Sequence, residues 1–277
     1  MKQSVIKITV FWLTLLTLWA CSNELPLQQP EGEMVRIGQI TTRTSASAWV
    51  WADGDRITAT ATGKSAVFIY STDHWGVSDN AEFTVENIGA DAIALEFGTS
   101  ALVPDQSGAA SYRIADYLKG SGTLSIITLT GTLEHQQCDL VLTVTKGTGW
   151  ASDTDFNEAM SDASCLFACA NTSGDIKPFR DGSVFRAIFP PANLPTGTDV
   201  KIATLIFGST NDTPQQLRGH TATITYTNNM TADDLKKKRL QLTAMLNRDC
   251  SVTITVGIND WDKQNGPSWP GELHHTS

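Results

Sequence analysis

Cys250-Ser-Val-Thr-Ile-Thr-Val-Gly-Ile-Asn-Asp-Trp261 decides the fold. Val252, Ile254, Val256 and Ile258 recur at every second residue, with Thr, Thr and Gly between them. A period of two places one set of side chains on one face of a strand. The same grammar recurs outward from this stretch. Leu240 to Leu246, Ala222 to Tyr226, Val200 to Phe207, Val184 to Phe189, Ser164 to Ala168, Leu140 to Val144 and Leu124 to Leu133 read as strands. Towards the start, Ile93 to Phe97, Ala81 to Glu86, Ala66 to Tyr70 and Thr58 to Thr62 read likewise. Thr, Val and Ile suit a pleated, half-buried surface. Gly, Asn, Asp and Pro supply the turns between. The expectation is an all-β chain built of β-sandwiches.

Helix signals are few. Thr231-Ala-Asp-Asp234 before Leu235 and the basic run Lys236 to Arg239 predicts one or two helical turns, capped by Thr231, with the basic residues at a solvated far end. Asp153 to Asp162 is a second helix candidate. Leu118-Lys-Gly-Ser-Gly122 is the most linker-like stretch in mid-chain. It predicts an N-terminal sandwich over residues 35–120 and a C-terminal one over 121–277.

The first residues carry an address. Lys2 and Lys7 precede an apolar run from Ile8 to Trp19, and Leu18-Trp-Ala20-Cys21 follows. The run is short for a spanning helix, and Ala20 before Cys21 marks a cleavage point. Residues 1–20 read as a signal peptide and 21–34 as a polar tether bearing Pro26 and Pro30. The Leu-x-Ala-Cys order resembles the lipobox of bacterial lipoproteins, which implies a lipid on Cys21. Removal of residues 1–20 leaves 257 residues and takes the formal charge from −9 to −11, because the segment holds two lysines and no acid. Such a chain lacks the basic stripe that nucleic acid needs. Contact with a membrane is expected through the anchor only.

Sites of chemistry are sparse. No G-x-S-x-G, H-E-x-x-H or phosphate-loop pattern is present. Neither a cofactor nor a metal site is expected, and the chain reads as a non-enzyme. Asp153-Thr-Asp155-Phe-Asn157 begins like a calcium loop, but Glu158 stands where the turn needs Gly and Ser164 where a bidentate Glu belongs. The acid pairs Asp53/Asp55 and Asp260/Asp262 suit turns better than glycosidase chemistry. Beyond Cys21, the thiols Cys138, Cys165, Cys169 and Cys250 allow three pairings as two disulfides, or serve as small buried apolar residues. Trp49, Trp51, Trp75, Trp150, Trp261 and Trp269 read as core anchors, with sugar stacking as the alternative.

Several segments together resemble the fimbrillin-like lipoproteins: Trp49-x-Trp51-Ala-Asp-Gly54-Asp-Arg-Ile57, Leu129 to Val144 with His135 between two apolar strands, Phe185 to Pro191, and Cys250 to Trp261 with its closing Ile258-Asn-Asp-Trp261. The resemblance implies two tandem transthyretin-like β-sandwich domains and assembly into type V fimbriae at the outer membrane. It implies a palmitate-bearing precursor from which an Arg-specific protease removes an N-terminal strand, whose groove a neighbour then fills. Arg36 and Arg43 are the candidate cut sites, and Val35 to Ile40 fits the strand exchanged or removed. The sequence departs from the family at Leu95 to Pro104, where a tyrosine-rich stretch is reduced, and at Leu235 to Lys238, which replaces a small-Gly-Lys turn. Those departures, and Pro267 and Pro270 in the tail, point to an accessory, anchor or tip subunit rather than a shaft subunit. Partners would be other fimbrial subunits, with surface glycans or proteins as further ligands. The rival reading is a glycan-binding surface lipoprotein that never polymerises.

Overall fold

The computed structural model describes residues 32–42, 51–77, 82–89, 92–208 and 217–261. Strands dominate, and they gather around two main apolar cores.

The first core belongs to one seven-stranded sheet. Its strands are β1 (Arg36–Thr42), β2 (Arg56–Ala61), β3 (Lys64–Ser71), β4 (His74–Val77), β5 (Ile93–Phe97), β6 (Leu118–Ser125) and β7 (Thr128–His135). They run in the order β1-β7-β6-β5-β2-β3-β4, and the sheet curls until its edge strands β1 and β4 approach each other. Ile57, Phe68, Phe83, Leu95, Leu118 and Leu133 fill the inside. All neighbours are antiparallel except β1 and β7, which run parallel.

The second core lies between two sheets. The larger holds β8 (Cys138–Lys146), β10 (Phe179–Asp181), β11 (Val184–Phe189), β14 (Lys238–Leu246) and β15 (Val252–Asp260), in the order β10-β11-β8-β14-β15. The smaller, β13-β12-β9, is made of β9 (Ser164–Phe167), β12 (Gly197–Ile206) and β13 (Thr221–Asn228). Leu140, Leu142, Leu240 and Leu242 of one sheet share this core with Phe167, Ile202, Leu205 and Ile224 of the other.

Four expectations are corrected, three of them in the first unit. The linker-like stretch at 118–122 is a strand: β6 runs through the expected 120/121 boundary, and the chain leaves the first sheet only after His135. Gly120 is there for closeness, not looseness. A Cβ on it would lie 1.9 Å from the Thr132 carbonyl oxygen. Leu124 to Leu133 is not one strand but a hairpin bent at Ile126-Ile127, where no Gly, Asn or Pro announces a turn. Ile126 takes φ 57° and is 83% exposed. Within Ala81 to Glu86, Thr84 caps a four-residue helix α1 (Val85–Ile88), its hydroxyl accepting from the Asn87 amide. A Thr at an N-cap satisfies an orphan amide that a strand would have paired elsewhere.

The other helices are α2 (Ala109–Ile114), α3 (Asp153–Ser161) and α4 (Ala232–Leu235). Ser152 caps α3, so Asp153 to Asn157 forms a helical turn. Thr231 and Asp234 form a capping box on α4. The basic run beyond it is not a solvated helix end. Lys237 pairs with Glu134 at 2.5 Å, Lys238 pairs with Asp260, and Arg239 is buried on Asp139 at 2.6 Å. Three carboxylates in reach turn the run into the start of β14.

Helix α2 joins the two units. Tyr112 and Ala115 pack with Ile188 and Trp261. The Tyr112 hydroxyl donates to Asp139 at 3.1 Å, and Arg239 and Arg186 donate to the other oxygen of that carboxylate at 2.6 and 3.2 Å. Burial works to raise Asp139, but the two guanidinium groups outweigh it and hold the carboxyl below its usual range. Gln106 lays its amide along β11, accepting from the Ile188 N–H at 2.8 Å and donating to the Ile188 carbonyl at 2.7 Å. His135 pairs with Asp116 at 2.8 Å and stacks on Trp261 with ring centroids 4.0 Å apart. Burial lifts Asp116 against the opposing pull of His135.

Candidate functional site

The site is the seat of β1. Val35 is 0% exposed and Ile40 6%, and both belong to the first core. Burying each side chain is worth about 1.5–3 kcal/mol. The Val35 N–H reaches the Phe83 carbonyl at 3.4 Å, and the Arg36 N–H donates to the Ile127 carbonyl at 2.8 Å. At the far end, the Trp51 indole N–H donates to the Ile40 carbonyl at 3.2 Å. Trp51 in turn sits edge-on to Trp75 and Phe97, at 4.9 and 5.6 Å. Among the described strands β1 pairs with β7 alone, with the Phe83 contact at its start and an aromatic clasp over its end.

Pairing with β7 is interrupted. Ile37 faces Leu129 and Gln39 faces Thr130, so Gly38 is an extra residue on the β1 side. A Cβ on Gly38 would lie 2.5 Å from Thr128 Cγ2. The bulge keeps Ile37 on one side of it and Ile40 and Thr42 on the other turned towards the core.

Of the sequence-derived site residues, Ala20, Cys21 and Arg43 lie outside the described residues. Trp49, Trp269 and Asp262 do too. Arg36 is the exposed first residue of β1. The four remaining thiols are free: Cys138 and Cys165 are buried in the second core, where burial pushes both well up, and Cys169 and Cys250 are half-buried. Asp53 and Asp55 serve turns, accepting from the Thr72 and Ala52 amides, and Asp55 also holds Arg113 at 2.5 Å. Asp260 is taken by Lys238. Among the described residues no cluster of three metal-ligating side chains occurs. Sequence reading missed the bulge and the Trp51 clasp; Gly38, which breaks the every-second-residue spacing between Ile37 and Ile40, was the available signal for the former.

Among the described residues, aromatic side chains do not form a sugar-stacking row. Trp51, Trp75 and Trp150 are half-buried, Trp261 is buried, and none of the described Trp, Tyr or Phe residues is exposed. A shallow cavity of about 520 Å³ on the outer face of β6 and β7 is polar, lined by Lys119, Ser121, Thr123, Thr130, Thr132 and Glu134.

No protein-family model matches the sequence, and no curated protein is found to match it. Solved structures do. A candidate cell adhesion protein from Bacteroides uniformis ATCC 8492 aligns with a TM-score of 0.51 at 13% identity, over 84% of this chain and 100% of that one. One from Bacteroides ovatus ATCC 8483 gives 0.48 at 13%, over 83% and 98%. A fimbrial protein from the same ovatus strain gives 0.43 at 12%, over 76% of this chain and 48% of that one. At these identities the likeness concerns backbone architecture, and it passes a TM-score of one half for the uniformis protein among the three. The chain thus has the all-β fold of that Bacteroides protein.

Proposed function

We propose that the chain is a non-enzymatic, surface-exposed adhesive or fimbrial subunit, exported as a lipoprotein and assembled by β-strand addition. The observation that carries this reading is β1. It is an N-terminal edge strand, parallel where its sheet is otherwise antiparallel, and it covers apolar core that its departure would open. Strand addition supplies the missing partner: edge amides and carbonyls of β7 are satisfied by another chain, and alternate side chains fill the vacated pockets. Lipid on Cys21 would tether the precursor to the outer membrane. The uniformis and ovatus structures are described as cell adhesion and fimbrial proteins, which agrees with this role.

Position favours Arg43 over Arg36 as the processing site. A cut after Arg36 leaves Ile37 to Thr42 joined to the body, whereas a cut after Arg43 releases all of β1. The alternative, a glycan-binding protein that never polymerises, calls for an exposed aromatic row, and among the described residues there is none.

Purified mature chain treated with an Arg-specific protease tests the reading. A ladder of SDS-resistant oligomers after cleavage at Arg43, abolished by Arg43→Ala, is expected. Clean cleavage at Arg43 with only monomer would refute assembly by this route. Radiolabelled palmitate incorporation that persists in Cys21→Ala would refute the anchor.

A further inference from the structure

We infer that β1 is a deliberately imperfect occupant of its groove, and that the strand that replaces it is a regular one without the extra residue. The inference rests on the strand-addition reading and concerns the chemistry of the partner. The groove spans the β7 positions Thr128 to Leu133, of which Leu129 and Leu133 are core residues. β1 meets these positions with one residue too many. Arg36 and Ile37 pair with Thr128 and Leu129, Gly38 has no partner, and Gln39 to Thr42 pair with Thr130 to Leu133. A bulge leaves one residue unpaired and disrupts the ladder, and it is uncommon in parallel pairs. Parallel pairing is itself slightly weaker per residue than antiparallel.

Gly38 makes the misfit tolerable. Its missing Cβ clears Thr128, and the bulge lets both halves of β1 point their apolar side chains inward. Without a bulge, a strand of this length would turn its second half over, because a slip of one residue exchanges faces. The Val35 pocket followed by the six β7 positions asks for something simpler: apolar, any, apolar, any, apolar, any, small, with no extra residue. Val35-Arg-Ile-Gln-Ile-Thr-Thr42, the resident sequence lacking Gly38, has that form. The partner is therefore an extended segment of strict alternation, β-branched at its first, third and fifth positions. Residues 262–277, Asp-Lys-Gln-Asn-Gly-Pro-Ser-Trp-Pro-Gly-Glu-Leu-His-His-Thr-Ser, do not have it. The difference between a bulged resident and a regular newcomer gives strand exchange a direction.

Two measurements test this. In the intact mature chain, deletion of Gly38 leaves every β1–β7 pair in register and is expected to raise Tm; a lower Tm would overturn the inference. Mature chain cut after Arg43 is then titrated with fluorescein-labelled peptides: resident Met34–Arg43, the same peptide lacking Gly38, and Asp262–Ser277. The peptide lacking Gly38 should bind at least ten-fold more tightly than the resident one, and the tail peptide should not compete. Equal binding of the first two, or equal competition by the tail, overturns the inference while leaving strand addition standing. Binding of none of the three removes strand addition and the inference with it.

Discussion

β1 and β15 are both edge strands, and they are attached in different ways. β15 pairs antiparallel with β14 over nine residues from Val252 to Asp260 without a break, and a short turn joins the two. β1 pairs parallel with β7, carries a bulge, and connects to the rest of the sheet through residues that follow Thr42. Ile40 of β1 and Val35 just before it lie in the core, whereas Val256 and Ile258 of β15 are 39% and 44% exposed. The strand whose apolar side chains reach full burial is thus the one with the poorer ladder. A removable strand needs both properties: enough burial to keep the precursor folded, and a backbone fit that another strand can better.

The largest expected effect lies at the junction between the units. Asp139→Asn leaves Arg186 and Arg239 buried without their counter-charge and should cost about 3–5 kcal/mol. Chemical denaturation would show that loss whether or not β1 is present, because Asp139, Arg186 and Arg239 lie outside the core that β1 covers. The pH dependence has a definite sign. A carboxyl depressed in the folded state contributes fully above its unfolded pKa of about 4, and that contribution disappears as pH falls through its folded value. Asp116 acts oppositely: its raised pKa makes its cost to stability appear as pH climbs above about 4. Asp139→Asn should therefore flatten the acid limb of the stability profile, and an unchanged limb would show that other carboxylates dominate it.

Core truncations separate the two edges next. Leu242→Ala, opposite Val256, should cost about 2–5 kcal/mol in both intact and cut chain. Ile40→Ala should cost about as much in the intact chain and nothing once β1 has been released. If Ile40→Ala still destabilises the cut chain, β1 has not left. Trp51→Phe removes the indole N–H that clasps the Ile40 carbonyl, worth about 0.5–1.5 kcal/mol. Its effect should appear as faster amide exchange in β1, with β14 and β15 unchanged. Smallest of all, Val256→Thr on the exposed edge should stay within about 0.5 kcal/mol by thermal melting.

Much of the second sandwich was legible because its strands alternate cleanly and its turns use Gly, Asn and Pro. The same alternation misled where tertiary contact overrode it. Gly120 reads as a linker residue, yet it lets β6 and β7 approach closely. Ile126-Ile127 reads as the middle of a strand, yet the sheet needs a hairpin there. Helix α2 has Gly108 at its N-cap and so no side-chain cap, which leaves the sequence with little start signal for it. Arg239 reads as a solvated cation, and only long-range contact with Asp139, one hundred residues away, buries it. At the candidate site, Val35 to Ile40 could be read as a strand. That it runs parallel to β7 depends on which strand lies beside it, and local pattern carries no such information.

Native mass spectrometry of the mature chain after cleavage at Arg43 tests the separability of β1 most directly. The account predicts that the fragment ending at Arg43 dissociates or exchanges with labelled copies of itself, while the remainder keeps its β-sheet circular dichroism. A fragment that stays bound without exchange, or a remainder that unfolds on losing it, would contradict the account.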